Sequence, residues 1–331
     1  MSLKDKAYSH PALQPGKIAV ITGAANGIGK ACAQTCASRG MKVAMADIQA
    51  EKLQQVADEF LAGGVCTAPE NLLVVPTDVT SLEQNQQLCE KVYATFGGCD
   101  FALFNVGIST GKGANPLFLD LEKWKRTLDI NLWSTIYGIH CFVPRMIAQA
   151  EAEGEKSEPR IVGATSSRQG LTLNPGDTPY VITKVGQRAV MESVEHELRN
   201  LPGNHKLRGV CLFPGRTVTD IVASLVEYDG DKERAADIRK DLTKAWGPDA
   251  MPVEHPVEVL FDAIEEGKFY AVCTDHYKTK NACLGEVRSS AADVCENRPP
   301  ASRWHSEWQE KFLQENPEAK KVDLKGEVRG F

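Results

Sequence analysis

No stretch of this sequence stays apolar for long enough to cross a bilayer, and the first sixteen residues, MSLKDKAYSHPALQPG, hold no apolar segment of the kind a secretory leader needs. The expectation is a soluble, cytoplasmic protein with no membrane partner. A basic excess is missing too. Lys and Arg number 38 against 44 Asp and Glu, a formal charge of −6, which argues against nucleic acid as a partner because its phosphates need a positive face. The ten cysteines contain no Cys-x-x-Cys pair, and His140 and His196 have no partner at ligand spacing, so no metal site is expected. Cys32, Cys36, Cys89 and Cys211 fall in apolar periodic segments and read as reduced core residues. Internal repeats are absent. The single low-complexity stretch, AEAEGEKSEP at 150–159, lacks apolar anchors and reads as a solvated loop.

What is present is an ordinary globular composition, 42% hydrophobic and 25% charged, in a chain of 331 residues, long enough to bury a substantial core. The organisation expected is a flexible leader over 1–15, a catalytic domain over 16–275 and a C-terminal extension over 276–331. Short apolar runs at 17–21, 41–46, 71–76, 101–104, 160–164, 207–213 and 269–273 alternate with amphipathic segments. Buried runs of this kind, separated by helices, predict an α/β fold with a doubly wound parallel sheet and helices on both faces. Ligands of such sheets sit at the carboxyl ends of the strands, where every motif below falls.

The first run leads into Thr22-Gly23-Ala24-Ala25-Asn26-Gly27-Ile28-Gly29 and then a helical segment closed by Gly40. Glycines there permit a tight turn and let the backbone approach a pyrophosphate, whose charge a helix N-terminus favours. The second run ends in Asp47, eighteen residues beyond Gly29, where a dinucleotide fold places the carboxylate that bonds the adenine ribose. An acid at that place repels a 2′-phosphate, so NAD is expected and NADP is disfavoured.

After the fifth run comes SRQGLTLNPGDTPYVITK, residues 167–184. Thr178 is the predicted N-cap, and Pro179 fits the first turn, where a missing N–H is harmless. Tyr180 and Lys184 then share one helix face, a turn apart. A fixed ammonium beside a phenol favours the phenolate and moves the pKa from about 10 toward neutrality. Ser167 can set a hydroxyl beside that phenol, and three such groups suit proton transfer to or from a carbonyl or alcohol oxygen.

Together these residues resemble the short-chain dehydrogenase/reductase family over about 15–275. The matching motifs are Thr22-Gly23-x-x-x-Gly27-x-Gly29, Asp47, Asp78-Val79, Asn105-x-Gly107, Asn131, Ser167, Tyr180-x-x-x-Lys184 and Pro214-Gly215-x-x-x-Thr219, with a thirteen-residue interval from Ser to Tyr. The resemblance implies that Tyr180 is the general acid/base, that Lys184 lowers its pKa and holds the nicotinamide ribose, and that Ser167 polarises the substrate oxygen. It further implies that Asn131 holds a water linking Lys184 to solvent. Asp78 and Val79 would face the adenine, Asn105 and Gly107 would flank the cofactor, and Thr217 and Thr219 would approach the carboxamide. Asn26, Ile28, Ile48, Val106, Pro214 and Gly215 complete the implied cofactor contacts. Val106 stands where the family usually has Ala. Ser166 competes with Ser167 for the catalytic role, and Gly170, three residues after Ser167, favours Ser167.

Between Thr219 and Pro256 the family places a lid, long here and carrying Ile221, Leu225, Ile238, Leu242 and Trp246 at helical spacing. The apolar content of the variable loops (Leu117, Phe118, Leu171, Leu173, Leu225, Trp246) suggests a bulky, partly apolar small molecule. Trp304, Trp308 and Phe312 form an i, i+4, i+8 stripe, expected to lie on one helix of the extension and to pack on the core or a second subunit, with a cover over the pocket as the other use. The family habit implies a homodimer or homotetramer through about 119–147 and 179–200. The function expected is hydride transfer between NAD(H) and a secondary alcohol or ketone. An epimerase or dehydratase using the same tetrad remains open, as does a cofactor-binding regulator without turnover, although a sensor needs no proton relay.

Overall fold

The computed structural model describes residues 6–109, 120–203, 206–228, 230–276, 278–319, 321–322 and 328–329. Its centre is a seven-stranded parallel sheet formed by β1 (Ile18–Thr22), β2 (Lys42–Asp47), β3 (Leu72–Pro76), β4 (Phe101–Phe104), β5 (Arg160–Thr165), β6 (Leu207–Phe213) and β7 (Tyr270–Val272), in the order β3-β2-β1-β4-β5-β6-β7. The winding reverses between β1 and β4, which are paired neighbours. That reversal opens a crevice at the carboxyl ends of the strands.

Alternate residues of the strands face opposite sides of the sheet and feed separate cores. Ala19, Ile21, Val43, Met45, Phe101 and Leu103 pack with α1 (Gly27–Ser38), α2 (Ala50–Ala62) and α11 (Glu254–Glu265). Ile18, Val20, Ala44, Ala102 and Phe104 pack with α3 (Leu82–Phe96), α5 (Ser134–Glu153) and the far end of α7 (Thr178–Asn200). The remaining helices are α4 (Leu121–Leu128), α6 (Gln169–Thr172), α8 (Ile221–Tyr228), α9 (Lys232–Lys240), α10 (Leu242–Trp246), α12 (Lys280–Cys295) and α13 (Ser306–Glu315). Nine cysteines are buried and Cys295, on α12, is exposed; all ten are free thiols. Among the described residues no helix is long and apolar enough to cross a membrane.

Several local expectations are corrected. The part of the leader that is described, from residue 6 onward, is docked rather than loose. Tyr8 and Leu13 are buried, the Tyr8 hydroxyl donates to Asp262 of α11 over 2.9 Å, and Glu265 accepts from the Ser9 and His10 amides. Apolar anchors among its polar residues account for this. The charged stretch at 150 continues α5 as far as Glu153, whose carboxylate pairs with the buried Arg160 of β5. The aromatic stripe does not lie on one helix. Trp304 sits in a separate 3₁₀ turn, and α13 begins only at Ser306, so Phe312 is buried while Trp304 is half exposed. The extension packs beneath α6: Ser290 Oγ donates to the Thr172 carbonyl over 3.0 Å, and Arg303 donates to Asn174.

Candidate active site

The predicted site residues other than Gly29 and Asn131 line one cleft of about 740 Å³, reached from the strand ends and, for Tyr180 and Lys184, from α7. Glycine makes its dinucleotide half possible. Gly23 and Gly27 adopt left-handed φ values of 71° and 52°. A Cβ on Gly29 would lie 2.1 Å from the Gly23 carbonyl oxygen and 2.7 Å from Asn105 Nδ2, so only glycine lets α1 start this close to β1. Asn26 precedes α1 without capping it, which leaves the first amides of the helix to an anion. These features fit a nicotinamide dinucleotide, whose pyrophosphate the glycine turn and the first amides of α1 would hold.

Asp47, buried at the end of β2, accepts from the Ala25 amide at 3.1 Å and from the Gln49 amide at 3.0 Å, so the carboxylate that faces the cleft also holds the glycine turn. Asp78 Oδ1 is engaged by the amide and hydroxyl of Thr80. Asn105 is fixed by its amide to Thr22 Oγ1 at 2.9 Å and by Thr165 Oγ1 at 3.0 Å. Val106 packs against Gly23, which has no side chain to oppose it. Ile48, Val79, Gly107, Pro214, Gly215, Thr217 and Thr219 line the same cleft; Gly29 is buried and is not one of the lining residues.

The other half of the cleft is set by α7. The helix starts at Thr178, one residue before the predicted start. Asp177 takes the cap position without a capping bond, because its carboxylate accepts from Ser109 Oγ at 2.6 Å. Tyr180 and Ser167 meet at the cleft. Burial pushes the Tyr180 phenol up to about 12, the Ser167 hydroxyl pulls it down and Asp177 raises it. Lys184 Nζ lies 5.4 Å from the centre of the Tyr180 ring. It donates to the Thr165 carbonyl at 2.9 Å and to Gln187 Oε1 at 2.8 Å. Burial drives its pKa down to about 7, opposed by Cys211. The expected depression of the tyrosine by the lysine is not seen in the protein alone: burial raises the phenol and lowers the ammonium, and the group that lowers the phenol is the Ser167 hydroxyl.

Ser166 Oγ donates to the Lys184 carbonyl at 2.7 Å, into the backbone of α7, and is thereby committed. Gly170 makes that contact possible, since a Cβ there would meet both the Lys184 oxygen and Ser166 Oγ at 2.7 Å. Ser167 is left as the hydroxyl for the cleft.

Asn131 is fully buried in a π-helical turn, Asp129–Trp133, between α4 and α5. Its side chain bonds the Ile108 amide and carbonyl at 2.8 and 2.9 Å and Thr183 Oγ1 at 3.0 Å. The amide therefore pins the loop after β4 to α7.

A family profile described as short chain dehydrogenase matches residues 17–230. The chain belongs to that family. An uncharacterised oxidoreductase of Listeria monocytogenes is 30% identical to it over 216 residues, 65% of this chain and 80% of the relative. Another, from Staphylococcus aureus, is 29% identical over 229 residues, 69% of this chain and 90% of the relative. A short-chain dehydrogenase/reductase from Burkholderia phymatum, solved in complex with NAD, superposes with a TM-score of 0.72 at 26% identity, covering 87% of this chain and 97% of that one. An alcohol dehydrogenase of Thermococcus sibiricus, complexed with 5-hydroxy-NADP, shares the fold at a TM-score of 0.60 and 21% identity, covering 80% of this chain and 98% of that one. Membership of the short-chain dehydrogenases makes this chain an oxidoreductase built for a nicotinamide cofactor and a small-molecule substrate.

The substrate side differs from expectation. Leu117 and Phe118 lie outside the described residues, as does the Leu225 side chain. Leu171 is turned into a core with Met191 and Phe213, and Leu173 is exposed in a left-handed conformation, so neither lines the cleft. Trp246 does line it, held by a 2.8 Å bond from Nε1 to the Thr219 carbonyl, together with Ile221 and Ser224. One face of α4 and the turn after it supplies a wall that was not foreseen: Glu122, Lys125, Arg126 and Asp129, at i, i+3, i+4 and i+7. That spacing is visible in the sequence, but charges at helical intervals usually mark a solvated face. Asp220 also faces the cleft, bonded to Arg239 of α9 and Asn26 of the glycine turn at 3.0 and 3.3 Å.

Proposed function

We propose that this short-chain dehydrogenase interconverts a secondary alcohol and a ketone using NAD(H), with Asn131, Ser167, Tyr180 and Lys184 as its catalytic set. The observation that carries the reading is the convergence of a phenol, a hydroxyl and an ammonium at one end of a cleft whose other end is a glycine turn beside Asp47. Hydride exchange with the carbinol carbon is the chemistry a bound nicotinamide supplies. Tyr180 moves the proton. With its pKa held high, the phenol is protonated at neutral pH and suits donation to a carbonyl oxygen; in the oxidative direction it must first lose that proton, which the Lys184 charge promotes. Ser167 orients the same oxygen by a hydrogen bond. Lys184 has three N–H groups, and with two engaged inside the protein the third serves the cleft.

Asp47 supports NAD over NADP, because a 2′-phosphate would be brought against a buried carboxylate already tied to the Ala25 amide. Ile221 and Trp246 support a partly apolar substrate, and the α4 wall adds a polar boundary. Trp133 and Ile182, exposed on the helices through which homodimers or homotetramers are expected, support such an assembly. The test is Tyr180→Phe, screened on secondary alcohols and ketones by absorbance of the reduced nicotinamide. Turnover should vanish while NADH affinity is kept; undiminished turnover in the variant refutes the assignment.

A further inference from the structure

Lys184 is held by more than the strand it faces. Gln187, one turn further along α7, is fully buried and receives a hydrogen bond from Lys184 Nζ on Oε1 at 2.8 Å. Its amide nitrogen donates to Thr135 Oγ1 of α5 at 2.8 Å. The Thr135 hydroxyl donates to the backbone carbonyl of Asn131 at 3.1 Å.

The direction of this chain is fixed at its far end. A carbonyl can only accept, so Thr135 must give it the hydroxyl proton and take its own hydrogen bond from Gln187. The Gln187 amide nitrogen is thereby committed to Thr135, and only its oxygen is left to face Lys184. A buried acceptor so locked favours the ammonium over the free amine. The titratable groups facing Lys184 are Tyr180 on its own helix and Cys211 on β6, whose thiol burial keeps protonated. From the other elements it meets the neutral Thr165 carbonyl on β5 and Gly107 after β4, where a Cβ would lie 3.1 Å from Nζ.

We propose that Gln187, oriented by Thr135 and the Asn131 carbonyl, is a positioning residue that keeps Lys184 charged and aims its remaining N–H at the cofactor ribose. The proposal rests on the reading of Lys184 as a cofactor-holding residue given above.

NADH binding to the purified full-length protein, followed by fluorescence between pH 6 and 9, tests it without a known substrate. The wild type should bind tightly while Lys184 is protonated and weaken as pH rises through its pKa. Gln187→Met keeps the volume and removes the acceptor, so the midpoint of that weakening should move down by about one pH unit, equivalent to an affinity loss that grows between the two midpoints and reaches about tenfold above both. Thr135→Val frees the amide to turn and should move it the same way by less. In a Lys184→Met background, Gln187→Met should change NADH affinity less than about twofold, since a residue acting through the lysine has nothing left to act on. Superimposable pH curves for Gln187→Met and wild type overturn the proposal, and so does an equal loss in the Lys184→Met background. A wild type that takes up no NADH at any pH defeats the underlying reading instead, and so is told apart from failure of the Gln187 role.

Discussion

Replacing Asp275 by Ala should be among the most damaging single changes outside the cleft. Asp275 follows β7, is buried, pairs with the Arg168 guanidinium and accepts from the Arg216 amide at 2.8 Å. Arg168 is the residue after Ser167. Its own amide donates to the Pro214 carbonyl at 3.0 Å, and its guanidinium reaches Cys283 Sγ of α12 at 2.9 Å. One ion pair therefore ties together the serine loop, the Pro214-Gly215 turn and the extension. With side-chain exposures of 12% for Arg168 and 7% for Asp275, solvent screens the pair little. Arg168 Nε already has no hydrogen-bond partner, so removing the carboxylate leaves a buried cation with very little compensation.

Losing one member of such a pair costs about 3–5 kcal/mol, a large share of the stability of about 5–15 kcal/mol typical of a folded protein. Urea unfolding should report it as a lower midpoint at constant slope. Replacing both partners, Arg168→Met with Asp275→Leu, removes the orphan charge and should recover most of that loss. Turnover should stay impaired in the double variant, because the serine loop is no longer tied. A cost below about 1 kcal/mol for Asp275→Ala, or a double variant as unstable as the single, refutes the reasoning.

Asp47→Ala should lower NAD affinity about tenfold, the loss of one hydrogen bond to a charged group, while NADP loses less or gains; isothermal titration with both cofactors checks this, and unchanged discrimination would show that Asp47 does not face the ribose. Gly29→Ala should cost at least about 1–3 kcal/mol and most of the cofactor affinity, because its Cβ would fall 2.1 Å from a backbone oxygen that cannot move without the turn. A thermal melt with and without NADH reads both effects, and a variant melting like wild type with the same NADH-induced shift contradicts the close approach.

The strands and the glycine turn were legible because burial on both faces leaves continuous apolar runs and because few residues besides glycine tolerate the turn. Tyr180 and Lys184 were legible from their spacing, and Gly170 pointed to Ser167 by a register whose physical basis, the contact of Ser166 with the α7 backbone, appears only in three dimensions. Other features depended on partners distant in sequence. Thr178 has the chemistry of a cap, but the helix begins one residue earlier because Asp177 is drawn to Ser109. Gln187, between Lys184 and Arg188 on an amphipathic helix, looks like a solvated residue until Thr135 is found opposite it. The tyrosine pKa moved against expectation because burial is a property of the whole fold, whereas the neighbouring lysine is visible in the sequence itself. Leu171 and Leu173 looked like substrate contacts because both are apolar and follow the serine, yet one faces the core and the other faces water.

The lone surface thiol on α12 has a practical consequence. With nine of ten cysteines inside the protein, a maleimide dye applied to the native enzyme would settle at Cys295 alone. That helix braces the segment just after Ser167, so the dye would ride on the brace of the serine loop. Its emission could then follow that brace during cofactor uptake, with no cysteine engineered in or out.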